Sequence, residues 1–149
     1  MLTQTAKYAI RALIYLSEQE DGAYYQAREI AQKIQVPTNY LGKTLQKLAH
    51  ARILDSQKGL HGGFRIARAP EKITLHEILV AIEAIPRDLS EGPAGDMADL
   101  PSAVYAKFAE LSSVYNQFLK DATLAEMLPA REQAAQGEVA SEEHAQTAV

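Results

Sequence analysis

The stretch LDSQKGLHGGFRIAR, residues 54–68, decides the fold expected for this chain. Two short runs of strand-compatible residues flank a glycine-rich tip that carries Lys58 and His61. Glycine permits the positive φ angles of a tight reversal, so the stretch predicts a β-hairpin. Basic side chains at such a tip are badly placed for a core and well placed for binding a polyanion.

The segments before the hairpin have the pattern of two helices joined by a short turn. Residues 27–34 and 38–51 each place apolar side chains on one face. Between them Val36 precedes Pro37, and a residue before proline avoids the helical region. Helix, turn, helix and basic hairpin, in this order, predict a winged helix-turn-helix whose second helix enters the major groove of DNA.

The polar face of the second helix supplies candidate base-reading residues. Asn39, Lys43 and Gln46 are predicted to read bases, because amides pair with adenine and lysine reaches guanine. A solvated helix face explains this pattern equally well, and it is the basic hairpin that favours DNA. The remaining predicted DNA-binding residues are Arg28, Thr38, Tyr40, Lys47, Lys58, His61 and Arg65.

The charge distribution agrees with a nucleic-acid partner, although the chain has a net charge of −4. Residues 1–80 carry 11 Lys and Arg against 7 Asp and Glu, whereas residues 81–149 carry 4 against 12. Within residues 28–68, 8 basic side chains stand against 2 acidic ones. Such a local basic patch attracts phosphates whatever the total charge.

The rest of the chain predicts further helices and a linker. Residues 5–17, 74–85 and 102–120 have helical apolar periodicity, and a shorter helical turn is expected at 123–128. Thr74 and Glu77 have the spacing of a capping box. The predicted domains are a winged-helix domain at 1–85, a linker or sensor loop at 86–101, a helical region at 102–128 and a disordered tail at 129–149.

Composition argues against several classes of function. No apolar run reaches the about 18 residues of a membrane span, and the N-terminus lacks a signal-like apolar block. The absence of cysteine excludes disulfides, a thiol nucleophile and thiolate-bound metals. No catalytic constellation can be assembled, and the four histidines have no metal-like neighbours. We therefore expect a cytoplasmic protein that is not an enzyme, contacts no membrane and has no metal site or cofactor.

Several motifs, taken in their order and spacing, resemble the Rrf-two family of bacterial winged-helix transcription regulators, whose members include IscR, NsrR and CymR. The resemblance covers residues 1 to about 128. The motifs that carry it are TAKYAIRAL at 5–13, EIA at 29–31, YL at 40–41, KL at 47–48, KG at 58–59, GGFRIA at 62–67 and TLAEML at 123–128.

The resemblance implies a mainly α fold with a small β-hairpin and a long C-terminal dimerisation helix. It implies a homodimer, and the two-fold axis of a dimer predicts a palindromic operator. We expect a repressor, with a regulatory protein or small-molecule effector as a further partner. Lys58 stands where many members carry a wing arginine that enters the minor groove. The implied dimerisation residues lie on the 102–128 segment: Val104, Phe108, Leu111, Tyr115 and Phe118.

The chain departs from the iron–sulfur members of that family at two places. Gly42 stands where some of them carry a base-reading glutamate, so a different operator is expected. Ser90, Asp96 and Ser102 stand at the three cysteine positions of cluster-bearing members, and oxygen donors do not suit an iron–sulfur cluster. The chain therefore resembles the cluster-free branch. The competing interpretation is a winged-helix module that binds a partner protein and has lost DNA affinity.

Overall fold

The computed structural model describes residues 2–19, 22–85 and 101–129. Its helices and strands follow one another as a helical bundle interrupted by a hairpin, which confirms the predicted fold class. The elements are α1 (Gln4–Ser17), α2 (Ala27–Ile34), α3 (Thr38–His50), β1 (Leu54–Gln57), β2 (Gly63–Ile66), a 3-10 turn (Pro70–Lys72), α4 (Leu75–Ala81), α5 (Ser102–Asp121) and α6 (Leu124–Met127). Apart from Pro101 and Pro129, the predicted linker at 86–101 and the predicted tail at 129–149 lie outside the described residues.

The core forms around one face of α1. Ala6, Ala9, Ala12 and Leu13 are fully buried on that face, and α1 contacts α2, α3, α4, α6 and β2. Small side chains allow neighbouring helices to approach closely. Apolar side chains of the other elements complete a single cluster, among them Ile30, Leu41, Leu45, Leu48, Ile73, Ile78 and Leu124.

Side-chain caps define where several helices begin. The Thr3 hydroxyl accepts a hydrogen bond from the Ala6 backbone N–H at 3.1 Å and so starts α1. At α4 the predicted capping box is confirmed: the Glu77 N–H donates to the Thr74 hydroxyl at 3.2 Å, and the Thr74 N–H donates to the Glu77 carboxylate at 2.9 Å. These bonds satisfy backbone donors that a helix leaves unpaired.

The helix predicted at 74–85 ends earlier than its apolar periodicity suggested. α4 stops at Ala81, and Glu83 adopts a left-handed φ of +60°. Its N–H donates to the Val80 carbonyl at 3.0 Å, and the Ala84 N–H donates to the Leu79 carbonyl at 2.9 Å. Such bonds close a helix end by pairing its last carbonyls. Ile85 is still partly buried against the core, which explains why the pattern continued.

The hairpin is attached to the helices by backbone hydrogen bonds. β1 and β2 pair antiparallel, with Leu54 opposite Ile66. Tyr25 forms a bridge with Phe64 through two bonds, N–H to carbonyl, of 2.9 and 2.8 Å. This isolated bridge fixes the hairpin to the segment before α2.

The close approach at Gly63 generates a stability prediction with a matched control. A Cβ on Gly63, whose φ is +141°, would lie 2.2 Å from the Tyr25 carbonyl oxygen. We expect Gly63→Ala to lower the free energy of unfolding in urea by roughly 1–3 kcal/mol. Gly42 lies within α3 with nothing within 4 Å of the added Cβ, so Gly42→Ala should raise that free energy by up to about 1 kcal/mol. Changes of the same sign would contradict this account.

The capping box of α4 generates a prediction about pH. Burial raises the pKa of the Glu77 carboxyl, but the hydrogen bonds from Thr74 and Arg68 and the charge of Arg68 outweigh burial and hold the pKa below its ordinary value. A lowered folded-state pKa stabilises the protein above the unfolded pKa of about 4.3, and this stabilisation is lost as pH falls through the folded value. Wild type should therefore exceed Glu77→Gln in thermal stability at neutral pH, and the gap should close in acid. A gap that persists at about pH 2 would refute this origin.

Candidate nucleic-acid interface

The exposed side of α3 carries a continuous row of polar side chains. Asn39, Lys43, Gln46 and His50 are all exposed, and their spacing of four, three and four residues places them on one face of the helix. The opposite face, with Leu41, Leu45 and Leu48, is fully buried. The three predicted base readers are thus brought together, and His50 extends their row.

The hairpin tip presents Lys58 and His61 to solvent. Between them Leu60 is 83% exposed, the highest value among the large apolar side chains described. The tip is held in place, because the Gln26 side-chain amide donates to the Leu60 carbonyl at 3.0 Å and the Gly62 N–H donates to the Gly59 carbonyl at 3.1 Å. Sequence reasoning missed Gln26, whose partner lies 34 residues away.

A cleft of about 310 Å³ separates α3 from the hairpin. Gln46, Ala49 and His50 line its helix side. Its hairpin side is lined by Ser56, Gln57, Lys58, Gly63 and Phe64. His50, Ser56 and Gln57 were not among the predicted site residues. The four-residue spacing of Gln46 and His50 was the signal that would have found the histidine.

Three predicted DNA-binding side chains are already engaged within the protein. The Arg65 guanidinium lies 3.4 Å from the Asp55 carboxylate, donates to the Gly22 carbonyl at 3.1 Å and stacks 4.6 Å from the centre of the Tyr24 ring. These contacts attach Arg65 to the segment before α2.

The other two engaged side chains belong to α3. The Tyr40 hydroxyl is hydrogen-bonded to the Thr5 hydroxyl, and its ring meets that of Tyr8 edge-on with centroids 5.7 Å apart. The Lys47 ammonium lies 2.6 Å from the Glu83 carboxylate. The remaining predicted residues, Arg28 on α2 and Thr38 at the start of α3, are exposed.

α5 exposes an apolar stripe along its length. The stripe consists of five residues spaced four, three, four and three positions apart: Val104, Phe108, Leu111, Tyr115 and Phe118. Together with the neighbouring Tyr105 and Val114, these side chains are 38–65% exposed. This alternation is the heptad seam by which one helix packs against another. Among the residues that the structure describes, the buried side chains of α5 are Asn116 and Leu119, and both lie in its C-terminal half.

The donor set in this chain does not fit a cysteine-ligated iron–sulfur cluster. The sequence contains no cysteine, and in residues 2–19, 22–85 and 101–129 no three His, Asp or Glu side chains converge as a metal site. Ser102 begins α5 and is exposed, whereas Ser90 and Asp96 lie outside the described residues. Within the described part of the chain, no helix is long and apolar enough to cross a membrane.

The fold and this surface define the class of the protein as a winged helix-turn-helix regulator. Residues 2–130 match the Rrf2 (Rrf-two) family, described as "Iron-dependent Transcriptional regulator", and the chain belongs to that family. It is a transcriptional regulator and not an enzyme.

Individual relatives agree with this assignment. A protein of Aquifex aeolicus named among the HTH-type transcriptional regulators is 30% identical over 132 residues, which cover 86% of this chain and 91% of that protein. The regulator NsrR of Shouchella clausii is 29% identical over 82 residues, 55% of each chain. Among solved structures, CymR of B. subtilis, the global cysteine regulator, superposes with a TM-score of 0.70 at 20% identity over 85% of this chain and 95% of its own. The likeness to CymR concerns the fold alone.

Proposed function

We propose that this protein is a homodimeric, sequence-specific DNA-binding repressor that acts without an iron–sulfur cluster. The observation that carries the proposal is the exposed polar row of α3, which faces Lys58 on the hairpin across the cleft. A helix fits the major groove, and amide and ammonium groups at its surface can pair with base edges. The hairpin then acts as a wing in the adjacent minor groove.

The cleft between α3 and the wing suits the sugar–phosphate strand that separates the two grooves. Gln46 and His50 on one side and Ser56, Gln57 and Lys58 on the other offer donors to phosphate oxygens. Arg28, Thr38 and Tyr40 extend this phosphate contact, with the Tyr40 ring oriented in advance by Thr5 and Tyr8. His61 would contact DNA at the wing tip. We assign Arg65 the role of supporting the wing through Asp55 and Tyr24.

The α5 stripe is the proposed dimer seam, with a second copy of the chain as its occupant. Five large apolar side chains at heptad spacing are too exposed for a monomer, and a second α5 would bury them. A two-fold axis between the copies would present two α3 helices to DNA, and this geometry predicts a palindromic operator.

Regulation without a cluster follows from the donor chemistry of the chain. Iron–sulfur clusters require thiolate ligands, and this sequence has none. We therefore propose that a partner protein or a small-molecule effector, and not a bound cluster, controls DNA binding. The proposed location of the regulator itself is the cytoplasm, where a bacterial regulator reaches chromosomal DNA.

Selection of genomic fragments by the purified protein at moderate salt, followed by sequencing, tests the function directly. We expect enrichment of one palindromic motif, and the variant Asn39→Ala with Gln46→Ala should lose the motif while keeping weak, salt-sensitive binding. Absence of any enriched motif would favour the alternative function, a winged-helix module that binds a partner protein.

The wing assignment predicts a change in the salt dependence of binding. Lys58→Ala should weaken affinity for the selected duplex and, if one phosphate contact is lost per protomer, lower the slope of log affinity against log salt by about 0.9 per protomer. Lys72→Ala serves as the control, because Lys72 is an exposed residue of the 3-10 turn beside α6. Unchanged affinity and slope for Lys58→Ala would remove Lys58 from the interface.

The seam assignment predicts the oligomeric state. Leu111→Lys or Phe108→Lys should convert the protein from dimer to monomer in sedimentation velocity, because each places a charge in an apolar seam. Ser113→Lys is the matched control, since Ser113 lies about 180° around α5 from Val104 and is also exposed. A dimer that survives Leu111→Lys would contradict the proposed seam.

A further inference from the structure

Lys47 of α3 forms an ion pair with a carboxylate from the turn that follows α4. Its ammonium lies 2.6 Å from the Glu83 carboxylate, and the two residues are 36 positions apart in sequence. The side chains of Lys47 and Glu83 are 41% and 78% exposed. Both partners of this Lys47–Glu83 pair are therefore reachable by a third ion from solvent.

The backbone after α4 directs Glu83 toward α3. Glu83 holds a left-handed φ of +60°, fixed by the two hydrogen bonds that close the end of α4. Glycine suits this backbone position better than glutamate does, because it has no Cβ to clash. A glycine at position 83 could not pair with Lys47. The ion pair is therefore the interaction that glutamate adds at this backbone position.

We propose that the Glu83 carboxylate occupies the position of a DNA phosphate at Lys47, so that DNA must displace it in order to bind. This inference rests on the proposed function of α3 as the DNA-binding helix. A carboxylate and a phosphate offer lysine the same charge-assisted hydrogen bond. Because two anions repel each other at the distance of a shared ammonium, a phosphate that takes this hydrogen bond must displace the carboxylate.

The competition links DNA affinity to the position of α4. α4 contacts both α3 and α5, and Glu83 follows directly after α4, so the Lys47–Glu83 pair joins the proposed DNA-binding helix to the end of the helix that packs against α5. Because coupling is reciprocal, a partner or effector that favours the open pair strengthens DNA binding, and DNA in turn favours that partner or effector. The effect is modest, since exposed ion pairs contribute little.

A double-mutant cycle tests the competition. We would measure the affinity of wild type, Glu83→Gln, Lys47→Gln and the double variant for the duplex selected from genomic fragments, by fluorescence anisotropy at several KCl concentrations. The control is Glu110→Gln, which makes the same change in charge and breaks the Lys107–Glu110 pair of 3.0 Å on α5. Sedimentation velocity confirms that all variants share one oligomeric state.

The expected results are specific to competition at Lys47. Glu83→Gln should tighten binding about two- to fivefold per protomer, and Glu110→Gln should not. Lys47→Gln should weaken binding and lower the salt slope by about 0.9 per protomer. In the Lys47→Gln background, Glu83→Gln should have no further effect, because the group it competes for is gone.

Three results would overturn the inference while leaving the proposed function intact. They are unchanged affinity for Glu83→Gln, a wild-type affinity for Lys47→Gln, and an undiminished effect of Glu83→Gln when Lys47 is already replaced. In the last case Glu83 would act on DNA through its field alone. If wild type binds no duplex in a salt-dependent manner, it is the proposed function that fails.

Discussion

The whole arrangement depends on the close packing of α1 against its neighbours. Ala6, Ala9 and Ala12 present almost no side-chain volume, so the backbones of adjacent elements can approach α1 closely. α2, α3, α4, α6 and β2 all contact this one helix. A larger side chain on this face would move the proposed DNA-binding helix and the strand of the wing together, because both are positioned from the same surface.

The proposed wing gains its position from backbone bonds more than from its own core. The two hydrogen bonds between Tyr25 and Phe64 attach β2, and the bond from Gln26 to Leu60 attaches the tip, to the segment that leads into α2. α2 is also fixed to α1, because Arg11 donates to the Ile34 carbonyl. The distance between α3 and the wing tip is therefore set by rigid contacts, which is what simultaneous binding in two grooves requires.

Apolar periodicity and turn residues were sufficient to predict the helices and strands. They did not predict side-chain contacts between residues that are far apart in the sequence. Apolar spacing located α1 to α5, and the Thr74–Glu77 spacing located the start of α4. The apolar spacing also predicted that α4 continues to Ile85. The helix ends earlier at a left-handed residue, Glu83, and the sequence has no glycine there that would have indicated the end. Arg65 and Lys47 were predicted to bind DNA, and their carboxylate partners come close to them only when the chain folds. Residue type predicted the candidate surface, but it did not predict which of its charges are already paired.

The charge asymmetry of the sequence acquires a physical meaning at the Lys47–Glu83 pair. Basic residues prevail in 28–68 and acidic residues prevail from 81 onward. Glu83 is the first acidic residue of that second part, and it contacts the α3 face that the first part builds. A carboxylate at a basic DNA-binding surface would lower affinity for every DNA sequence to a similar degree, because phosphates carry no sequence information. The base contacts proposed for Asn39 and Gln46 do not involve Lys47, so the proposed competition would weaken the phosphate contacts and leave a larger share of the binding free energy to sequence readout.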